Sequence, residues 1–462
     1  MTAPKRLINP PGSVIPDGAL LSEADARRVI ERAVALSKAD AVRVNVGSGY
    51  QANLRFAANQ TSTAGAVTNA GVSVYSVFGK KHASANTNDL SESAIRRVVE
   101  QSEALARLSP DDPESLPELA AQQYTPVQSY FDRTADLTAA DRARAALTAL
   151  EPARKAGDLM AAGFLVTGAA ASAVGNNAGL FAYHRATSAN YTLTVRTTDG
   201  TGSGWAGADH PDWSQIDPAA VSERAIAKAR LSRKPQAVEP GRYTVILEPQ
   251  AVGDLVQLMG FALDARSADE GRSAFSKQGG GNKIGERILD PRVTLYSDPA
   301  DPQLLGQPWD GQGLPLGRQV WIENGVLKQL VHSRFWAQKT GRAATGFPSS
   351  VKMAGGSAST DEMIRGTQRG LLVTRLWYLR QVDPRTILYT GLTRDGTFLI
   401  ENGKVTKSVR NLRFNESPLF MLNNLEAIGA PVRLAGTEAG GAIVMPPLKV
   451  RDFSFTSLSE AV

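Results

Sequence analysis

Histidine and cysteine supply most zinc ligands and many catalytic nucleophiles, and this chain of 462 residues has few of them. It contains no cysteine, which excludes thiolate zinc sites, iron–sulfur clusters, disulfide frameworks and a cysteine nucleophile. The four histidines are His82, His184, His210 and His332. They lie 102, 26 and 122 positions apart, so no two of them form a local metal-ligand motif. These residue types argue against ordinary zinc chemistry.

The histidines show no catalytic pattern one by one either. His332, within Leu330–Trp336, is typical of a strand residue with a local hydrogen bond, and a catalytic role is the alternative. His184 lies in a strand pattern and His210 precedes a proline in a turn, so the case for a catalytic role is no stronger for either of them than for His332. We therefore keep His332 as the one histidine candidate for catalysis.

Three further patterns carry only weak chemical signals. Asp269 and Glu270 are either general acids or part of a solvated loop, and the solvated loop is favoured. Ser276-Lys277 is a poor serine–lysine pair, because adjacent side chains rarely face each other. Gly202–Gly207 matches G-x-G-x-x-G after a strand, but no helix follows, so a phosphate would meet no helix N-terminus. We read it as a chance match.

The composition is that of a globular protein, with 42% hydrophobic and 21% charged residues. Lys and Arg exceed Asp and Glu by 51 − 45, giving +6, but no run of like charges indicates a nucleic-acid surface. No segment reaches the roughly 18 apolar residues of a membrane span. The start, Met1–Gly18, has four prolines and no apolar stretch, so we expect no signal peptide and a cytoplasmic location.

The N-terminal half combines helical and strand patterns. Ser22–Asp25 is a capping box that starts an amphipathic helix ending near Lys38. Ala41–Val46 and Gly49–Phe56 alternate and predict two strands of a hairpin. A strand at Gly71–Phe78 and a helix from about Ser91 to Leu108 complete the first round. A second round is predicted at residues 139–155 (helix), 163–172, 180–186 and 191–198 (strands), and 219–229 (helix).

The C-terminal half is dominated by strand patterns. Tyr243–Leu247 predicts a buried strand, and from Val252 the apolar residues follow one stripe of a helix whose polar faces carry Asp254 and Gln257. A glycine-rich loop covers residues 273–282. Two Asn-Gly turns, at residues 322–326 and 400–405, predict two hairpins of one large sheet, and residues 448–455 predict a terminal strand.

These patterns predict an α+β fold. The linker Arg233–Gly241, with two prolines, divides an N-terminal domain (1–235) of helices on an antiparallel sheet from a C-terminal domain (236–462) with a large mixed or antiparallel sheet.

A collinear set of short motifs resembles the TldD/PmbA (TldE) family, peptidases once named modulators of DNA gyrase. The first motif is Arg55-Phe-Ala-Ala-Asn-Gln60, and others follow in order along nearly the whole chain. They are Asn177–Gly179, Ser273–Ser276, Thr390–Lys404, Ser408–Phe414 and Met445–Phe453.

The resemblance implies a stripped zinc site. Active TldD-like members carry H-E-x-x-x-H shortly before a segment like Ser273–Ser276, with a late cysteine as third ligand. By this spacing Val256 and Phe261 occupy the two histidine positions and Gln257 the position of the general base. The cysteine cannot exist here. The resemblance thus implies no catalytic, metal or cofactor residues in this chain.

It also implies partners and substrates. We expect a TldE-like subunit that forms a heterodimer with a TldD-like catalytic subunit, or a dimer with itself, and that binds unstructured peptides by strand addition to edges of the C-terminal half. Two alternatives remain: a stand-alone homodimeric peptide-binding protein, and a diverged hydrolase that uses His332 or Asp269 and Glu270.

Overall fold

The computed structural model describes residues 20–436 and 441–459. The proline-rich start, with its prediction of no signal peptide, lies outside the described residues. Helices make up 25% and strands 41% of the structure, and the strand-rich part is C-terminal, so the prediction of an α+β fold is confirmed. Across the described ranges, every helix is too short or too polar to cross a membrane.

The N-terminal half repeats one order of elements, helix–strand–strand–strand–helix, with a single helical turn between the rounds. Its elements are α1 (Glu23–Leu36), β1 (Ala41–Ala57), β2 (Gln60–Phe78), β3 (Lys81–Thr87), α2 (Glu92–Leu108), α3 (Asp132–Ala135), α4 (Ala139–Ala156), β4 (Leu159–Asn176), β5 (Phe181–Thr197), β6 (Ser203–His210), a 3-10 turn (Trp213–Gln215) and α5 (Pro218–Leu231). The predicted capping box of α1 is present, with Ser22 and Asp25 bonded reciprocally.

The six strands form one antiparallel sheet in the order β3-β2-β1-β4-β5-β6. Because side chains alternate between the faces of a strand, the even-numbered residues of β1 all point to one face. Val44 packs with α1 and α2 in one apolar cluster, and Phe56 packs with α4 and α5 in another. The helices of both rounds therefore cover the same face.

Two strands each unite segments that the sequence predicts as separate strands. Residues 41–57 form one continuous strand, so the predicted hairpin at residues 41–56 is wrong. Gly47 pairs with Gly71 of β2 and with Ser172 of β4, and this pairing on both sides keeps the glycines extended. Likewise β5 unites two predicted strands.

Within residues 236–436 and 441–459 of the C-terminal half, thirteen strands lie among short helices. Its elements are β7 (Gly241–Leu247), α6 (Pro249–Val256), a 3-10 helix (Gln257–Leu263), α7 (Ala265–Asp269), β8 (Leu295–Ser297), β9 (Gln319–Glu323), β10 (Val326–Leu327), α8 (Arg334–Thr340), β11 (Ser350–Met353), α9 (Thr360–Arg365), β12 (Arg369–Asp383), β13 (Leu388–Glu401), β14 (Lys404–Ser408), β15 (Leu412–Glu416), α10 (Pro418–Asn423), β16 (Leu425–Ile428), β17 (Val432–Arg433), β18 (Ala442–Met445) and β19 (Leu448–Leu458). We propose the division between the two halves at residues 235/236.

One sheet of this half closes on itself. The order β12-β7-β19-β15-β13 returns to β12, because β12 and β13 also pair. Strands β14 and β16 extend it at β13 and β19. A second sheet has the order β10-β9-β8-β11-β18-β17. This half is therefore a small closed sheet beside an open one.

Both predicted Asn-Gly turns exist, since Asn324, Gly325, Asn402 and Gly403 all have positive φ. The first turn joins β9 to β10 in the open sheet and the second joins β13 to β14. The prediction that both hairpins belong to one sheet is therefore wrong. Local turn chemistry specifies a hairpin but not the sheet to which that hairpin adds.

The predicted long helix from Val252 is shorter in the structure. Helix α6 ends at Val256, and residues Gln257–Leu263 continue as a 3-10 helix. Asp254 and Gln257, which the sequence places on the polar faces of this helix, are both buried. Helix α6 is enclosed because β12 and β18 both pack against it.

Candidate functional site

The segment from Val256 to Leu263 forms one wall of a cavity of about 290 Å³. The open sheet forms the opposite wall, through residues of β8, β9, β11 and β18, and the loop Phe347–Ser349 borders it. All three residues that the sequence places at the family's motif positions, Val256, Gln257 and Phe261, line this cavity. Their shared site is the candidate functional site.

The base of the cavity is largely apolar, and the polar atoms of Trp321, Ser297 and Ser350 form hydrogen bonds with one another. Trp321 is almost fully buried, and its Nε1 donates a hydrogen bond of 2.8 Å to Ser297 Oγ. The Ser297 hydroxyl in turn donates to the carbonyl oxygen of Ser350. Because these hydrogen bonds satisfy the polar groups, the apolar faces of Trp321 and Val256 form the cavity surface.

Two aromatic side chains lie at the exposed border of the cavity. Phe261 is 63% exposed and Phe347 is 59% exposed, although both are large apolar residues. Between Phe261 and the buried part of the segment, Gly260 has open space where a Cβ would stand: apart from its chain neighbours, no heavy atom of the described residues lies within 4 Å. The entrance is therefore both apolar and unobstructed at Gly260.

Gln257 is a buried amide in the wall of the cavity. Its Nε2 donates to the main-chain oxygen of Asp254 at 3.2 Å. Asp254 is itself buried, where its carboxylate accepts from Gln250 Nε2 at 2.8 Å and from the backbone N–H of Leu376 at 3.0 Å. These bonds tie the motif helix α6 to strand β12.

The residues at this site do not fit a zinc ion. Among the residues that the structure describes, the cavity lining contains no histidine, aspartate or glutamate side chain, and the sequence has no cysteine. Within residues 20–436 and 441–459, no group of three or more such residues is placed to hold a metal. Zinc sites in proteins use imidazole, thiolate and carboxylate ligands, none of which Val256, Gln257 or Phe261 provides.

His332 is buried and lies outside the residues that line the cavity. Its Nδ1 bonds to the carbonyl oxygen of Leu330 at 2.9 Å, which confirms the predicted local hydrogen bond. The residue precedes α8 and is not in a strand, so that part of the prediction is wrong. Its Nε2 is buried with no hydrogen-bond partner in the described structure. A buried ring of this kind is not accessible to a peptide.

His184 and His210 both form hydrogen bonds within the fold. His184 Nε2 bonds to Ser129 Oγ at 2.8 Å, its ring meets Trp309 edge-on, and burial lowers its pKa to about 4. His210 is the last residue of β6 and accepts a hydrogen bond from the backbone of Asp212. Burial and the nearby Arg433 lower the pKa of His210.

The carboxylate candidates are structural. Asp269 accepts from Asn282 Nδ2 at 2.6 Å and from Trp336 Nε1 at 2.7 Å, so it anchors the glycine-rich loop and is not a freely solvated side chain. Glu270 is exposed and pairs with Arg266 and Arg272. The side-chain hydrogen bonds of these two arginines lower its pKa.

The remaining two motifs also have structural roles. Ser276 accepts from the backbone of Ser273 while Lys277 pairs with Glu286, so they form no catalytic pair. Gly204, inside the G-x-G-x-x-G match, lies against helix α5, where a Cβ would stand 2.3 Å from Ala225 O. The glycine is there because α5 packs closely on β6.

Sequence reasoning found one wall of the cavity and missed the others. Trp321, Ile443 and Phe347 come from strands β9 and β18 and a loop that are distant along the chain. Only the Asn-Gly turn after β9 gave a local signal, and it identified a hairpin without its neighbours.

Models of the PmbA/TldA metallopeptidase family match the chain in three consecutive pieces. Domain 1 matches residues 42–106, the central domain residues 129–233 and the C-terminal domain residues 240–457. Together they account for most of the chain in the family's own order. The chain therefore belongs to the PmbA/TldD family.

The relatives are distant. A metalloprotease of Methanothermobacter thermautotrophicus is 27% identical over 46% of this chain and 48% of its own length. A metalloprotease PmbA homolog of Haemophilus influenzae is 23% identical over 82% of this chain and 85% of its own. The match thus spans about half the length of the first of these relatives.

Solved structures share the fold. TldE from Thermococcus kodakarensis superimposes with a TM-score of 0.83 at 19% identity, covering 94% of this chain and 100% of that chain. A candidate modulator of DNA gyrase from Thermotoga maritima gives a TM-score of 0.83 at 18% identity, covering 93% and 100%. At this identity the likeness establishes the fold.

Proposed function

We propose that this chain is a metal-free, non-catalytic, TldE-like subunit of a TldD/TldE-type metalloprotease complex that processes or degrades small unstructured peptides. The observation that carries the proposal is the cavity at Val256, Gln257 and Phe261. A peptidase of this family would need zinc ligands and a general base there, and this chain has two apolar side chains and an amide.

The group whose absence most clearly prevents hydrolysis is the general base. An amide such as that of Gln257 does not take up a proton near neutral pH, whereas a glutamate in the same place would. Gln257 is also buried and hydrogen-bonded to the main chain of Asp254. The hydrolytic step therefore belongs to a partner subunit that has the complete motif.

Unpaired strand edges support a role in holding peptides. An extended peptide of almost any sequence can add to a free edge, because main-chain groups make the bonds. The sequence predicts such edges in the C-terminal half. One sheet of that half closes on itself, and the strands at the two ends of the open sheet, β10 and β17, have only two residues each, so they offer short edges. Among the described residues of the N-terminal sheet, β3 pairs with Val72–Phe78 alone, which leaves residues 60–70 of β2 as an exposed edge without charge or proline.

Metal analysis of the purified full-length chain tests the metal-free role. We expect zinc far below one ion per chain and no cleavage of unstructured peptides by the chain alone. One zinc per chain, or cleavage lost on His332→Ala, would sink the proposal in favour of a diverged hydrolase.

Complex formation is tested by co-expression with a family member that carries H-E-x-x-x-H. We expect a stable heterodimer whose cleavage depends on the partner's motif glutamate and survives Gln257→Met in this chain. If this chain sediments as a dimer by itself and leaves the partner's cleavage unchanged, it is a stand-alone peptide-binding protein.

A further inference from the structure

We propose that the cavity at Val256–Leu263 binds one large apolar side chain, such as phenylalanine or leucine, of an extended peptide. This inference rests on the proposed role in peptide binding and adds to it a site and a side-chain preference. The family's zinc position has become, in this chain, a specificity pocket.

The cavity has the right size for one such side chain. Its volume is about 290 Å³. An engineered protein cavity of about 150 Å³ accepts a benzene molecule, so this cavity has room for a phenyl ring together with the peptide atoms next to it. It is too small for a folded domain and too large for a metal ion alone.

The chemistry of the lining selects an apolar group. Among the described residues, no charged side chain lines the cavity. At its base, Trp321 Nε1 donates to Ser297 Oγ, and Ser297 donates to Ser350, so these polar groups need no partner from a ligand. A charged side chain would lose its water and find no opposite charge among these lining residues, whereas an apolar side chain has no such cost.

The entrance already presents the surface that a ligand would cover. Phe261 and Phe347 keep 63% and 59% of their surfaces in water at the border of the cavity. Covering exposed aromatic surface is favourable, so a bound apolar residue gains from the entrance as well as from the interior. Gly260 leaves the way in open.

The test compares short peptides with the intact chain. Acetylated, amidated pentapeptides of Gly and Ser with a central Phe, Ala or Lys are titrated into the protein by calorimetry. We expect the Phe peptide to bind at least about tenfold more tightly than the Ala peptide, and the Lys peptide to bind no better than the Ala peptide.

A blocking variant places the site. Gly260→Leu puts a side chain into the open entrance, and we expect it to reduce binding of the Phe peptide at least about tenfold. Gly311→Leu is the matched control, because its Cβ also meets no atom within 4 Å and it does not line the cavity. Phe347→Ala removes an exposed side chain of a loop, and we expect this second variant to weaken binding of the Phe peptide less than Gly260→Leu does.

Equal binding of the Phe and Ala peptides, or full binding after both Gly260→Leu and Phe347→Ala, would overturn the pocket. Neither result changes the metal content or the dependence of cleavage on a partner. Failure of the pocket is therefore distinguishable from failure of the proposed function.

Discussion

Val256 and Phe261 line the same cavity from opposite ends: Val256 is 2% exposed at its base, and Phe261 is 63% exposed at its border. The backbone changes from α-helix to 3-10 helix between them. The two motif positions therefore have different physical roles, one in the core and one in contact with solvent.

Substitutions at these two positions should separate stability from binding. We expect Val256→Ala to lower the free energy of unfolding by about 2 kcal/mol, because it removes buried methyl groups. Phe261→Ser should change it by less than about 0.5 kcal/mol while weakening peptide binding. Urea unfolding and calorimetry measure both effects, and a larger stability loss at Phe261 would contradict the geometry.

Asp254 should stabilise the motif helix through its buried hydrogen bonds. Asp254→Ala leaves the backbone N–H of Leu376 and the Gln250 amide without their acceptor, and we expect a loss of about 2–4 kcal/mol. Asp254→Asn keeps one acceptor oxygen and should lose less. Equal unfolding midpoints for the wild type and the Ala variant would show that these bonds contribute little.

His184 should make stability depend on pH. Its pKa is lowered from 6.5 to about 4 in the folded chain, so between these values the unfolded chain binds more protons. The free energy of unfolding should therefore fall as the pH drops from 6.5 to about 4, by up to about 3 kcal/mol from this residue. His184→Gln, which can still bond to Ser129, should flatten that slope in urea unfolding. An unchanged slope would assign the effect to other groups.

Gly204 should be required for packing and not for a nucleotide. In Gly204→Ala the new Cβ would lie 2.3 Å from Ala225 O and 2.4 Å from Ala229 N, so α5 must move away from β6. We expect a loss of at least about 2 kcal/mol. Gly49→Ala is the control, since its nearest contact is an ordinary 3.6 Å. Tight nucleotide binding that Gly204→Ala abolishes would refute this structural interpretation.

Local patterns in the sequence predicted most of the elements. The capping residue Ser22 and the turns at Asn324 and Asn402 each act within a few residues, so they are readable before folding is considered. Predictions went wrong where neighbours decided the outcome. The hairpin predicted between Val46 and Gly49 is absent, because pairing with β2 and β4 keeps this segment extended.

The sequence by itself determined the α+β class, the family membership implied by its collinear motifs, and the absence of thiolate ligands anywhere in the chain. Only the tertiary structure decided that Val256, Gln257 and Phe261 share a cavity with Trp321 and Phe347, and that His332 is buried away from its lining. The physical reason is that a residue's type and its local turn are encoded within a few positions. A cavity is made by strands and loops that are far apart in the chain and meet only when the open sheet forms.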